Sequence, residues 1–194
     1  MWTIVGVADV PPAPWKNGGG VTRQLVAWPV GVPEWTIRVS IADVEQDGPF
    51  SSFEGIRRWF GILEGVGVNL FGSMDIVVGD PLYEFDGGLA PSCTLLEGHN
   101  VRDFNVMLRE APGRHLSVVD AKVTPNLAVD ASTQWVGLFS VDGGSLAQRS
   151  DGAVEKEIAV PKMGLAWLDQ VGQPLELHAN PVEGRGVAYW LLLT

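Results

Sequence analysis

The stretch Trp35-Thr36-Ile37-Arg38-Val39-Ser40-Ile41 alternates without a break, apolar at positions 35, 37, 39 and 41 and polar at 36, 38 and 40. A period of two sends successive side chains to opposite faces of an extended chain, so the stretch reads as a strand with one apolar and one polar face. Similar short runs recur at Trp2 to Val7, Trp59 to Leu63, Asp75 to Val78, Cys93 to Leu96, Phe104 to Leu108, Leu116 to Val119, Trp135 to Val141, Leu165 to Leu168 and Gly186 to Leu193. Between them lie the turn words Asp47-Gly48-Pro49, Gly79-Asp80-Pro81, Asp86-Gly87-Gly88, Asp142-Gly143-Gly144 and Asp151-Gly152. Many short strands at such spacing imply an all-β sandwich or barrel. No window of a dozen residues holds a 3.6-residue apolar period, so helix is limited to a turn or two, expected around Phe50 to Gly55.

At 194 residues the chain is long enough for a single compact domain over 1–194, or for two β halves of about 1–110 and 111–194. A faint echo favours two halves: Gly79-Asp80-Pro81-Leu82-Tyr83-Glu84-Phe85 is similar to Gly172-Gln173-Pro174-Leu175-Glu176-Leu177-His178. Charged residues make up 19% and hydrophobic ones 46%, with glycine and proline dispersed, which argues against disorder. The formal charge of −10 argues against nucleic acid, whose binding rests on clustered Lys and Arg. A small anionic ligand remains compatible, provided a few cations are focused into one pocket. No leader-like start or membrane-length apolar run is present, so a cytoplasmic location with no membrane partner is expected. Cys93 stands alone and reads as a core thiol.

The segment Pro14-Trp15-Lys16-Asn17-Gly18-Gly19-Gly20-Val21-Thr22-Arg23 concentrates chemistry near the N-terminus. Glycines admit positive φ and close backbone approach; Trp15, Lys16 and Asn17 supply a stacking face, a point charge and an amide that both donates and accepts. Taken alone, the segment reads equally as a glycine turn pinned by a half-buried tryptophan.

Several words, in order, make a specific signature: Pro14-Trp15-Lys16-Asn17-Gly18-Gly19-Gly20 with Thr22-Arg23; Arg38-Val39-Ser40-Ile41-Ala42; Asp47-Gly48-Pro49-Phe50-Ser51-Ser52-Phe53 with Gly55-Ile56 and Arg58; Leu63-Glu64-Gly65; and Asp103-Phe104-Asn105-Val106-Met107. Over most of its first 110 residues the chain resembles the HutD/Ves family. The resemblance implies an all-β, cupin-like double barrel with little helix. It departs from the family pattern at Phe85-Asp86-Gly87-Gly88 and at Leu108-Arg109-Glu110. HutD-like members look like auxiliary proteins of histidine degradation, which implies binding of a small anionic metabolite such as urocanate or N-formylglutamate. No established reaction comes with the family.

The site expected from these words is Trp15, Lys16, Asn17, Gly18, Gly19, Thr22, Arg38, Ser40, Arg58, Asp103 and Asn105. Arg38 sits mid-strand on the polar face, and inside a barrel its guanidinium needs an anionic partner, either a ligand or a structural carboxylate such as Asp103 or Glu64. Asp103 and Asn105 share one strand face with Met107; the alternative use for the pair is tying turns to backbone. Thr22 and Ser40 offer hydroxyls to the cavity or are ordinary strand polarity. Arg57 and Arg58 point to opposite faces, and the family words favour Arg58 as the internal one. Arg23 reads as a surface or rim charge.

The three histidines His99, His115 and His178 are far apart and supply no His-X-His pair, so no metal or cofactor is expected. The glycine run lacks the Lys-Ser/Thr ending of a phosphate loop, and no nucleophile-elbow word occurs. Two functional readings follow. The first is a metal-independent binding protein for a small organic acid in a regulatory or auxiliary role. The second is a metal-independent isomerase or hydrolase with Asp103 or Glu64 as general base. Homodimerisation through sheet edges stays open, as does a partner-binding role for an exposed aromatic patch.

Overall fold

The computed structural model describes residues 1–150, 153–181 and 187–194. Its strand β1 (Thr3–Gly6) is followed by β2 (Ala13–Pro14), β3 (Gly20–Trp28), β4 (Ile37–Val44), β5 (Gly48–Pro49), β6 (Ile56–Glu64), β7 (Gly67–Leu70), β8 (Met74–Val77), β9 (Tyr83–Asp86), β10 (Ser92–Leu95) and β11 (Val101–Arg109). Then come β12 (Leu116–Asp120), β13 (Asn126–Val129), β14 (Trp135–Ser140), β15 (Gly144–Ser150), β16 (Ala153–Val160), β17 (Gly164–Asp169), β18 (Leu175–Pro181) and β19 (Ala188–Leu193). Helix is confined to 3-10 turns at Val7–Asp9 and Leu96–Gly98 among the described residues. The helical turn expected around Phe50 to Gly55 is absent. The backbone there bonds outward instead, Phe50 N–H to Pro91 O (2.9 Å) and Phe53 N–H to Gly87 O (2.7 Å), and Gly55 turns with φ of 68°. The turn expected at Asp151-Gly152 and the strand start at Gly186 lie outside the described residues.

The chain divides into two compact units, Val10–Ala111 and a second made of Met1–Asp9 with Pro112–Thr194. The first nine residues join the second unit because β1 pairs antiparallel with β17, Thr3 opposite Trp167 through Gly6 opposite Gly164. Each unit is a pair of sheets. Unit Val10–Ala111 has a six-stranded sheet, β2-β3-β4-β11-β6-β9, and a four-stranded one, β5-β10-β7-β8. The other unit has β1-β17-β14-β19-β12 and β13-β18-β15-β16. The sequence echo does not mark equivalent strands: β9 is an end strand of a six-stranded sheet, β18 an inner strand of a four-stranded one.

In Val10–Ala111 the decisive stretch becomes β4, flanked by β3 and β11. Ile37, Val39 and Ile41 are fully buried, as alternation requires. The opposite face is also enclosed: Ser40 and Ala42 are buried because that face looks between the two sheets. Along it, composition changes. At one end Val44, Val101, Phe60 and Ile62 pack with Val68, Leu70, Ile76, Cys93 and Leu95 of the four-stranded sheet into a core. Toward the other end the same face carries Ser40, Arg38, Asn105, Met107 and Arg58, and the space between the sheets stays open.

Candidate functional site

Strand register assembles the site. Asp103 lies opposite Ala42, Asn105 opposite Ser40 and Met107 opposite Arg38 across β11 and β4; on the other side of β11, Met107 faces Arg58 of β6. Thr22 of β3 stands opposite Ala42. Directly opposed residues on four neighbouring strands thus share one inward face. They surround a cavity of about 490 Å³, completed by Pro14, Trp15, Lys16 and Asn17 and by Pro49, Phe50, Ser51 and Phe53.

Nine of the expected residues come together there: Trp15, Lys16, Asn17, Thr22, Arg38, Ser40, Arg58, Asp103 and Asn105. Gly18 and Gly19 do not line the cavity. Gly18 turns the chain with φ of 72°, and Gly19 braces the loop, its N–H donating to Asn17 Oδ1 (3.1 Å) and its carbonyl accepting from Glu45 N–H (2.9 Å). Gly20, in the same glycine run but not among the expected site residues, is the glycine that packing demands. A Cβ there would overlap the Asp43 carbonyl oxygen and come 3.2 Å from the Trp15 ring. Trp15 in turn donates from Nε1 to Thr22 Oγ1 (2.7 Å) and meets Phe50 edge-on, ring centroids 6.4 Å apart.

Arg38 does not have the carboxylate partner expected from Asp103 or Glu64. Its Nε donates to Gln24 Oε1 (3.0 Å) and its Nη1 lies 4.0 Å from Met107 Sδ, both neutral groups. Burial without a counter-charge lowers its pKa from the usual arginine value. Glu64 is occupied elsewhere, accepting from Arg102 Nη1 at 3.0 Å, and is not part of the cavity wall, so as a general base it has no access to a ligand here. Arg23 pairs outside the cavity with Asp43, which also takes Arg102 (2.6 Å).

Arg58 is the internal member of its pair, 4% exposed, while Arg57 stays outside on Glu110 (2.8 Å). Arg58 Nη2 donates to Asn105 Oδ1 (2.7 Å), and Asn105 Nδ2 donates to Asp103 Oδ1 (2.6 Å). A guanidinium only donates and an ionised carboxylate only accepts, so the amide orientation is fixed by its neighbours. Phenylalanine rings enclose the guanidinium, Phe85 at 5.0 Å, Phe50 at 5.5 Å and Phe53 at 5.8 Å from ring centroid to Cζ. Burial pulls its pKa down to about 10, with Asp103 opposing the shift. Asp103 is 1% exposed, and burial pushes its carboxyl up to about 7 against the pull of Arg58, the Ala42 backbone and Asn105. Phe50 and Phe53 were missed as site residues; their signal was the aromatic spacing in Pro49-Phe50-Ser51-Ser52-Phe53.

Cys93 is buried in the core and its thiol is pushed up to about 12, chiefly by burial, so it is no nucleophile. Among the described residues no three His, Cys, Asp or Glu side chains gather as a metal site would need, and no helix is long and apolar enough to cross a membrane. What the cavity offers is a guanidinium without a carboxylate, amide and hydroxyl groups, an ammonium and amide at the exposed end, and aromatic walls.

A family model described as HutD matches residues 7–182. Over 118 residues the chain is 40% identical to an uncharacterized 21.2 kDa protein in the hutC 3' region of Pseudomonas putida, the match covering 58% of this chain and 60% of that one. Over 108 residues it is 33% identical to protein Ves of Citrobacter koseri, covering 53% and 56%. The chain thus spans less than two thirds of the length of these curated relatives. Among solved structures it is similar to HutD from Pseudomonas fluorescens, with a TM-score of 0.74 and 25% identity over 100% of this chain and 98% of that one. It also shares its fold with a deletion mutant of Bacillus subtilis oxalate decarboxylase, at a TM-score of 0.58 and 11% identity over 98% and 76%.

Proposed function

The chain belongs to the HutD family, with an all-β cupin-like fold, and we propose that its cavity binds a small organic acid of histidine catabolism, urocanate or N-formylglutamate, in a regulatory or auxiliary role. The observation that carries this reading is Arg38: a guanidinium lining a cavity of about 490 Å³ with only neutral protein partners among the described residues. A ligand carboxylate supplies the missing counter-charge through a charge-assisted, two-pronged hydrogen bond. Ser40 lies beside it on β4, and Lys16 and Asn17 reach the acid from the exposed end. The walls of Trp15, Phe50 and Phe53 suit a flat or apolar remainder. The neighbourhood of the Pseudomonas putida relative, in a hutC 3' region, supports histidine catabolism as the source of the acid.

Calorimetric titration with urocanate and N-formylglutamate tests the reading. Micromolar binding is expected, weakened at least about a hundredfold in Arg38→Ala, since a desolvated charge pair contributes about 3 kcal/mol or more. Unchanged affinity in that variant overturns it. A second reading, a metal-independent isomerase or hydrolase, is favoured by one observation, an Asp103 carboxyl in the cavity held near neutrality, where a general base works best. Conversion of either acid into product by the purified protein decides for the enzyme; recovery of both unchanged decides for the binding protein.

A further inference from the structure

Three charged side chains line the interior of the cavity, two guanidiniums and one carboxylate: Arg38, Arg58 and Asp103. Asp103 and Arg58 are coupled through one amide, Arg58 to Asn105 at 2.7 Å and Asn105 to Asp103 at 2.6 Å, so an ionised Asp103 balances Arg58. Among the described residues of the interior, with Lys16 at the outer end, Arg38 is then the cation left to an entering anion. Resting on the acid-binding reading above, we propose that Asp103 sets the charge of the acid the cavity admits: ionised, it selects an acid with one carboxylate, and with its charge removed the same cavity selects a dicarboxylate.

The other charged groups on the surrounding strands are engaged elsewhere or lie at the rim. On β3 and β4, Arg23 and Asp43 pair with each other, and Asp43 also takes Arg102 of β11. On β6, Glu64 holds Arg102 and Arg57 holds Glu110. Asp47 accepts the Leu95 N–H, and Cys93 of β10 remains a neutral thiol. Lys16 is exposed at the outer end, where water screens it. Inside, two guanidiniums less one carboxylate leave a single positive charge, whereas a neutral residue at 103 leaves two. In a partly buried cavity an unmatched charge on either side is costly, so the count becomes a preference. Burial places the Asp103 carboxyl at about 7, so the count changes within the ordinary pH range, and acidification favours the dicarboxylate.

Glutarate and its monoamide, glutaramate, isolate charge at constant length. Their affinities are measured by calorimetry on the full chain at about pH 6.5 and about pH 8, where both compounds keep their charge. The expected result is a glutaramate preference at the higher pH that moves roughly tenfold toward glutarate at the lower one, the effect of about one pKa unit of coupling. In Asp103→Asn, glutarate is expected to be preferred at both values. A preference that ignores pH in the unmodified protein, or one that Asp103→Asn leaves in place, overturns the inference. Should the variant fail to fold, the pH series on the unmodified protein decides alone. Binding that depends on Arg38 but shows no such charge preference leaves the acid-binding reading standing and sinks only this one; no binding by glutarate, glutaramate, urocanate or N-formylglutamate sinks both.

Discussion

The two units share a plan of paired antiparallel sheets, and their central strands carry opposite kinds of side chain inward. In Val10–Ala111, β4 and β11 present Arg38, Ser40, Asp103 and Asn105 to the space between the sheets. In the other unit, β14 and β19 present Val136, Leu138, Ala188 and Trp190 to a core that also takes Leu146, Ile158, Ala166 and Leu177. Its small gap beside Leu138 and Ser140 has no room for a water molecule, and the Ser140 hydroxyl is satisfied by the Gly143 carbonyl at 2.8 Å. Polar residues inside a β sandwich cost stability, and apolar ones at the same kind of position supply it. One unit therefore fills its interior with apolar side chains, and the other leaves part of its interior to a polar cavity.

Truncating the apolar interior gives the largest expected effect. Trp190 is fully buried and its Nε1 donates to Thr124 O (3.0 Å), so Trp190→Ala removes both ring packing and a buried hydrogen bond. A loss of about 3–5 kcal/mol is expected from urea denaturation of the full chain. Arg38→Ala, an equally drastic truncation in the other unit, is expected to leave the urea midpoint nearly unchanged, because it removes a half-buried charge that has no carboxylate partner. Comparable losses at the two positions would end the division of labour between the units.

The cavity wall was legible because it is local. Alternation over Trp35 to Ile41 and from Asp103 to Met107 places Arg38, Ser40, Asp103 and Asn105 without knowledge of the rest of the fold. Pairings were not legible, since they depend on register between distant strands. Arg58 meets Asn105 only because Met107 falls opposite Arg58 across β11 and β6. Arg38 was expected to need a carboxylate, from a ligand or from the protein, and its protein partners are Gln24 and Met107. Strand β3 escaped notice because a bulge between Gln24 and Val26 breaks its alternation, and β16 because its residues from Ala153 to Glu157 are all exposed. The assignment of Met1–Asp9 to the second unit rests on β1 reaching β17, a contact across most of the chain.

Response to pH sharpens the comparison at a smaller scale. Among the described residues the second unit buries hydroxyls, Thr133 and Ser140, but no carboxylate, whereas the first unit buries Asp103. Unfolded, that carboxyl titrates near its ordinary value of 3.8; folded, near about 7. Between the two the folded chain holds a proton that the unfolded chain has lost, so this group makes stability fall as pH rises through that window. Asp43, pulled down by Arg102 and Arg23, acts in the opposite sense, which makes the difference between variant and parent the informative quantity. Asp103→Asn is expected to gain stability relative to the parent from about pH 4 to about pH 7, read from melting temperatures over a pH series. A difference that stays flat across the series would show that the carboxyl ionises in the folded chain as it does in the unfolded one.

The smallest effect is expected at the rim, where Trp15 makes a side-chain hydrogen bond to Thr22, a ring contact to Phe50 and partial packing on the core. Its Nε1 donates to Thr22 Oγ1 at 2.7 Å and its ring meets Phe50 at 83°. Trp15→Phe keeps an aromatic face but loses the donor, for about 1 kcal/mol. Thr22→Val loses the acceptor at nearly constant volume and should cost a similar amount. If the two act through the same bond, the double variant loses less than the sum of the singles, a coupling a double-mutant cycle reads directly. Strict additivity would mean that the bond does not set the position of Trp15. The ring would then be seated by the absence of a side chain at Gly20, which lets β3 start against the Asp43 carbonyl.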